Sequence, residues 1–422
     1  MTAPLRFCMF STFYPPYSYG GDGITLQRLC RALVRAGHEV TVVHDADAFL
    51  SLGHPQPNVA PADDGVDVVT LRSALGVVSV LLTYQLGRPV VHGADIETLL
   101  ARGRFDVVHF HNASLVGGPG LFAFGRGSAT LYTAHEHWLI CPTHVLWRHG
   151  RERCTGRECF RCTLHYGRPP QLWRSTGLLE RALDDVDTFI ALSEFSREKH
   201  REFGFPRDME VLPPIVFDSD VDAIDAPALS PHPRPYFFYA GRLERIKGLD
   251  DVLPLFHDAA APADLLIAGA GSHEAALRAI AGESPRIRFL GHLTPDRLAP
   301  LYRHAIAHIA PSVCFETFGN TLVESFRQRT PVIARNIGPF PEIVTHAGGG
   351  VLFDDADGLR SALTRFASDR GLRDQLGAAG RSAYEATWSE EAIVPRYLDI
   401  VDRTIARRRT PPRLAAPAVG VT

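Results

Sequence analysis

The stretch CFETFGNTLVES, residues 314–325, decides how this chain is read. Two acids, Glu316 and Glu324, stand eight positions apart around a Phe-Gly-Asn turn. Gly319 and Asn320 fall where a loop passes into a helix, so backbone N–H groups there can donate to phosphate or sugar oxygens. The carboxylates would repel phosphate, but they are strong acceptors for neutral hydroxyls. A plainer reading stays open: Thr321 with Glu324 three positions on is a capping-box pattern, which would make Glu324 a helix-start device.

Working outward, AGRLERIKGLD (residues 240–250) sets Arg242 five positions before Lys247. That spacing can bring a planar guanidinium and a compact ammonium to one phosphate. Of 44 basic residues only Lys199 and Lys247 are lysine, so a point charge is singled out at Lys247. Near the N-terminus, YPPYSYGGDGITLQRL places Gly20, Gly21 and Gly23 before a helical run. Missing side chains there let a ligand reach the backbone at a helix start. Gly269 and Gly271 in IAGAGSHE lack the third small residue of a dinucleotide fingerprint, since Glu274 stands in its place, and read as a plain turn.

Strand-like runs surround these segments. RFCMFSTF, HEVTVVHD, FDVVHFHN and ATLYTAHE punctuate the first half, and RPYFFYAGRL, ADLLIAGAGS, IRFLGHL, AIAHIAPSV and TPVIARNIG the second. Runs rich in Val, Phe and Thr, separated by helices, predict two α/β units with parallel sheets covered on both faces. The Pro- and Asp-rich stretch 213–235 predicts a linker between an N-terminal domain, 1–212, and a C-terminal domain, 236–386. Ligands collect at the carboxyl ends of parallel strands, so two such domains facing each other would make an interdomain cleft. ALGVVSVLLTYQLG, residues 74–87, is too short to span a bilayer and reads as a buried helix.

At 422 residues with a formal charge of −3, the chain has no broad basic field for nucleic acid. The start MTAPLRFCMFSTFYPP lacks a secretory h-region, so a cytoplasmic place is expected. The basic ARRRTPPR near the end allows at most weak peripheral contact with anionic lipid at the inner membrane face.

Taken together, AGRLERIKGLD, FETFGNTLVES and TPVIARNIGPFPEIV resemble the retaining glycosyltransferases of family 4, whose signature is E-x7-E, here Glu316 and Glu324. The resemblance implies the GT-B fold, two Rossmann-like domains facing a cleft, over nearly the whole chain. It implies a C-terminal helix over 387–409 that crosses back to the first domain; the tail beyond it, 410–422, reads from its residues as disordered. It also implies transfer of a hexosyl group from a UDP- or GDP-sugar to a hydroxyl of a saccharide, lipid-linked saccharide or small natural product. Arg242 and Lys247 would hold the diphosphate and Glu316 would contact the sugar. Phe318, Gly319, Asn320 and Thr321 would line the donor, with main-chain N–H groups turned to sugar and phosphate. Glu324 would take the ribose hydroxyls, Gly20 and Gly21 would lie against the diphosphate, and His135 in TAHEHW would face the sugar. Departure of the leaving group on the front face needs no protein base, and no catalytic metal is expected. This chain departs from the family at Gln328–Arg329, where a small residue and Gly are common, and at Pro339, where a second Gly follows Gly338.

Asp45 to Asp47, DAD, matches the metal motif of the other main glycosyltransferase fold but lies far from E-x7-E and reads as a polar loop. Cys141, Cys154, Cys159 and Cys162 are spaced C-x12-C-x4-C-x2-C directly after the His135 strand. In a cytoplasmic chain such clustering points to metal before disulfide. Structural zinc is the first expectation, an iron–sulfur cluster the alternative. The competing functions are a nucleotide-sugar epimerase or hydrolase on the same fold, a nicotinamide oxidoreductase, and a non-catalytic zinc-stabilised sugar-nucleotide-binding protein.

Overall fold

A computed structural model describes residues 3–409, apart from 19, 58–62, 64, 217–228 and 258–262. The tail over 410–422 and much of the expected linker lie outside the described residues. In the first domain the strands are β1 Arg6–Phe10, β2 Glu39–Asp45, β3 Val66–Leu71, β4 Val107–Phe110 and β5 Ala129–Ala134. A small hairpin, β6 Trp147–Arg148 and β7 Glu152–Arg153, precedes β8 Thr188–Ala191 and β9 Met209–Val211. In the second they are β10 Tyr236–Ala240, β11 Asp264–Ala268, β12 Ile287–Gly291, β13 His308–Ala310, β14 Val332–Arg335 and β15 Gly350–Phe353.

The sheet orders are β3-β2-β1-β4-β5-β8-β9 and β12-β11-β10-β13-β14-β15, with every pair parallel. Each order runs from a central strand to one edge and then resumes on the other side. A ligand crevice opens where the direction reverses, between β1 and β4 and between β10 and β13. Strands such as ATLYTA and YFFYA are buried at every position, as covering on both faces demands. The edge strands β3, β9 and β15 and the interior strand β8 are not among the runs read from the sequence.

The helix Glu390–Arg409 returns to the first domain. Ile393, Tyr397, Ile400 and Val401 share one helical face and join Phe7, Met9, Leu26 and Val107 in a single cluster. The first residues of the expected linker are no free tether: Ile215 and Val216 are buried, and Tyr384 Oη donates to the Val216 carbonyl at 2.7 Å. Leu192 and Val216 from one side and Phe318, Leu322 and Phe340 from the other form one apolar cluster. The domains therefore share core.

The helix Val77–Leu86 corrects the reading of residues 74–87 as buried. It turns Ser79, Val80 and Thr83 inward and leaves Val77 61% and Leu81 50% exposed. Packing against the helix Ala46–Ser51 selected the narrow, partly polar stripe over the apolar bulk. No helix among the described residues is long and apolar enough to cross a membrane.

Candidate active site

The opening motif leaves the carboxyl end of β13, crosses the loop 311–319 and enters the helix Asn320–Arg327. Gly319 is the N-cap, with no side-chain cap bond, so Thr321 already lies inside the helix and the capping-box reading does not hold. Glu324 instead faces sideways: Tyr302 Oη donates to its Oε2 at 3.2 Å, and Arg28 Nη1 of the first domain stands 3.6 Å from its Oε1. Phe318 turns its ring into the shared core, which presses the turn into place and leaves its backbone as the part that can meet a ligand.

Glu316 Oε1 accepts from three side chains, Cys314 Sγ at 3.9 Å being the longest contact. Lys247 Nζ donates to its Oε1 at 2.6 Å and Ser312 Oγ donates to the same oxygen at 2.8 Å. Burial would raise this carboxyl, but the Lys247 charge and hydrogen bond, the Ser312 bond and the Arg242 charge hold it below its ordinary value. Glu316 is therefore an anion across the neutral range. Lys247 reaches it because the turn Arg245–Lys247 ends on Gly248, whose φ of +72° is left-handed. A Cβ at Gly248 would collide with the Pro311 carbonyl, so glycine lets the two loops of the β10/β13 switch point touch. Val313 N–H completes the contact by donating to the Ile246 carbonyl at 2.9 Å. Arg242 is exposed, and its charge is felt at Glu316 and Tyr239. Gly269 and Gly271 bring a neighbouring loop against the backbone of residues 241–243; they brace the Arg242 loop.

Across the cleft, Gly20 caps the helix Gly21–Arg35, also with no side-chain cap bond. A Cβ built on Gly21 would lie 3.4 Å from Asn320 Nδ2, and Asn320 Nδ2 donates to Thr25 Oγ1 at 3.4 Å. Two helix N-termini, one from each domain, thus face each other at glycine caps. Their partial positive ends repel unless an anion lies between them.

His135 directly follows β5 beside a row of buried imidazoles. Its Nε2 bonds His111 Nδ1 at 2.8 Å, and the His109 and His111 ring centroids are 4.0 Å apart. His109 in turn bonds Thr133 Oγ1 at 2.8 Å and Tyr397 Oη at 2.9 Å. Burial lowers all three imidazoles, His109 to about 3, so they are neutral at physiological pH. The main chain around His135 touches the motif loop: Thr317 Oγ1 donates to the His135 carbonyl at 2.7 Å and His137 Nε2 bonds the Phe315 carbonyl at 3.2 Å. Sequence reading missed Arg28, Tyr302, Ser312, His111 and Thr317, which carry no motif of their own and are recruited by topology.

DAD is no polar loop. Asp45 ends β2 and accepts the Ala48 N–H as the N-cap of Ala46–Ser51, while Asp47 accepts Ser73 N at 2.8 Å, and both are buried. With His92 they form the one trio among the described residues whose ligand atoms all lie within 4.8 Å of one another. The cysteines Cys141, Cys154, Cys159 and Cys162 are free thiols lining one cavity of about 20 Å³, wider apart than that trio.

The family model for glycosyl transferases group 1 matches residues 220–383, and that for glycosyltransferase family 4 matches residues 19–219. This chain is a family 4 glycosyltransferase. Among its relatives, a glycogen synthase of Mycobacterium tuberculosis is 27% identical over 90% of this chain and 89% of its own. A GDP-mannose-dependent alpha-(1-6)-phosphatidylinositol monomannoside mannosyltransferase of the same organism is 28% identical over 53% of this chain and 64% of its own. The fold matches sucrose-phosphate synthase of Thermosynechococcus elongatus at TM-score 0.70 and 18% identity, over 95% of this chain and 99% of that one. It matches Anabaena HepE in complex with UDP and glucose at TM-score 0.64 and 16% identity, over 94% and 100%. The two-domain architecture is GT-B.

Within this family the departures now have a geometry. Arg329 holds a left-handed φ of +60°, which explains why glycine is common there. Pro339 is the N-cap of Phe340–Ala347 with φ −80°, a conformation that proline favours. It keeps the turn and removes one backbone donor beside Glu316.

Proposed function

We propose that this glycosyltransferase is a retaining hexosyltransferase that moves the sugar of a UDP- or GDP-sugar onto a hydroxyl of a saccharide, lipid-linked saccharide or small natural product. The observation that carries the reading is the pair of glycine-capped helix N-termini facing each other across the cleft, flanked by the Lys247–Glu316 pair. A diphosphate between Gly21 and Asn320 would meet two sets of first-turn N–H groups. Lys247 and Arg242 would add charge where negative charge grows as the glycosidic bond breaks.

Glu316, held anionic, is suited to accept from hydroxyls of the transferred sugar, and Glu324 to accept from the ribose. His135, whose basicity burial lowers, serves to orient the sugar. A covalent route would need a carboxylate poised as nucleophile, but the acids at the cleft are engaged: Asp22 by Asn112, Glu316 by Lys247 and Ser312, Glu324 by Tyr302 and Arg28. That favours front-face departure, with the leaving phosphate taking the acceptor proton. The GDP-mannose named for one relative supports a nucleotide sugar as donor.

Thermal stabilisation by UDP and GDP is the first test. Gly21→Ala separates binding from folding, because its methyl meets Asn320 in ordinary contact at 3.4 Å yet would stand where the anion binds. It should melt like the parent alone and lose the nucleotide response. Lys247→Ala should lower kcat/KM by about 10²–10³. Proton NMR of the glycosidic product must show the donor's anomeric configuration; inversion, or no response to any nucleotide, overturns the reading. Sugar release that ignores every acceptor would point to a hydrolase.

A further inference from the structure

The cysteine loop lies outside the donor site, and what it does can be argued from its own geometry. Cys141 sits in the turn after β5, and Cys154 closes the β6–β7 hairpin, its N–H donating to the Leu146 carbonyl at 2.8 Å. Cys159 and Cys162 lie one turn apart on the helix Cys159–His165, which puts both thiols on one side. All four line the same cavity, and none is in a disulfide. Its volume of about 20 Å³ is that of a single small sphere.

Two features of the loop ask for an anchor of this kind. Of the five non-glycine residues with positive φ among the described residues, His144, Leu146 and His149 fall here. Each such conformation costs about 1–2 kcal/mol and persists where the surroundings over-determine it. Arg174, half-buried between Trp138 and Trp173, bonds the neutral oxygens of Gln171, Leu139 and Trp138, and the groups whose negative charge it would feel include Cys141 and Cys159. A divalent ion held by four thiolates carries net charge −2, which would favour that guanidinium. His149 N–H already points at Cys162 Sγ, 3.3 Å away.

We propose that Cys141, Cys154, Cys159 and Cys162 bind one zinc ion in a closed, structural tetrahedral site. At zinc–sulfur bonds of about 2.3 Å the sulfurs stand about 3.8 Å apart, so zinc draws the thiols inward from their present spacing. The ion fixes more than the loop. Cys141 N–H donates to the His137 carbonyl at 2.8 Å, and His137 reaches the Phe315 carbonyl. The metal thereby braces the segment that seats the Glu316 loop. The proposal is independent of the donor and acceptor, since metal content is its readout.

The full chain, purified without chelator, should carry one zinc by elemental analysis. Cobalt in its place should give tetrahedral d–d bands with thiolate charge transfer. Cys159→Ser with Cys162→Ser should abolish both signals, while Cys30→Ala, in the core, should keep them. Stripping zinc should open Arg148, Arg151, Arg153, Arg157 and Arg161 to trypsin. If the double variant does not fold, the metal content and cobalt spectrum of the parent decide. A metal-free chain that takes up neither ion, iron with acid-labile sulfide, or zinc retained by the folded double variant would each overturn the site.

Discussion

At the scale of single residues, charge state is set by burial. Asp45 is fully buried, and its loss of water raises the carboxyl from 3.8 to about 7, with Asp47 adding to the rise and the Ala48 N–H opposing it. The folded state holds this proton more tightly than the unfolded chain, so stability falls as pH rises between those two values and the full cost is felt above the second. At ~1.4 kcal/mol per pH unit, ionised Asp45 costs several kcal/mol. Asp45→Asn keeps the helix cap without the charge. It should melt higher than the parent at about pH 8, with the gain shrinking toward about pH 4, as calorimetry across pH would record. Arg329 is the second such residue. Its left-handed backbone at φ +60° makes Arg329→Gly stabilising by about 0.5–1 kcal/mol, the relief of strain less the entropy of glycine. Denaturant midpoints measure this directly, and a loss of stability would show that the arginine side chain repays the strain.

At the scale of elements, the crossing helix Glu390–Arg409 is where the molecule is tied together. Ile393, Ile400 and Val401 are fully or almost fully buried on the first sheet, each worth about 1.5–3 kcal/mol. Arg403 grips Glu210 with two bonds at 2.8 and 2.6 Å, and the Thr188 and Thr404 hydroxyls meet at 2.7 Å. Tyr397 carries the helix into the histidine row through His109. Tyr397→Phe leaves a buried imidazole nitrogen without its partner and should cost about 1–3 kcal/mol. The same change frees the His109–His111–His135 row at the sugar end, so kcat should fall while nucleotide affinity holds. Equal losses in both would place the helix's influence elsewhere.

At the scale of the molecule, two sheets that could fold apart share a core through Leu192, Val216, Phe318 and Leu322. Backbone N–H groups of Glu194 and Phe195 are capped from the second domain by Glu342 at 3.0 and 3.1 Å. The chain should therefore melt in one transition. A nucleoside diphosphate bridging Gly21 and Asn320 should raise that transition by an amount equivalent to about 2.7 kcal/mol at a hundredfold excess over Kd. Two resolved transitions, with one alone responding to nucleotide, would contradict the shared core.

How much was legible follows from what kind of physics each feature uses. The alternation of buried strands and helices, the glycine turns and the E-x7-E spacing are local, so a one-dimensional string determines them: FETFGNTLVES announces a loop entering a helix, and RFCMF and YFFYA announce strands. Residues 74–87 were misread because apolar content does not say which stripe packs; a neighbouring helix chose Ser79, Val80 and Thr83. DAD was misread because Ser73, which bonds Asp47, and His92, which stands against both acids, lie outside its own stretch of sequence. Glu316 meeting Lys247 and Ser312, Glu324 meeting Arg28, and Gly21 meeting Asn320 are encounters between distant parts of the chain. Sequence by itself determined the layers and the motif; only the tertiary structure decided which charges pair across the cleft, because Coulomb and hydrogen-bond terms act within a few ångströms of space and are blind to distance along the chain.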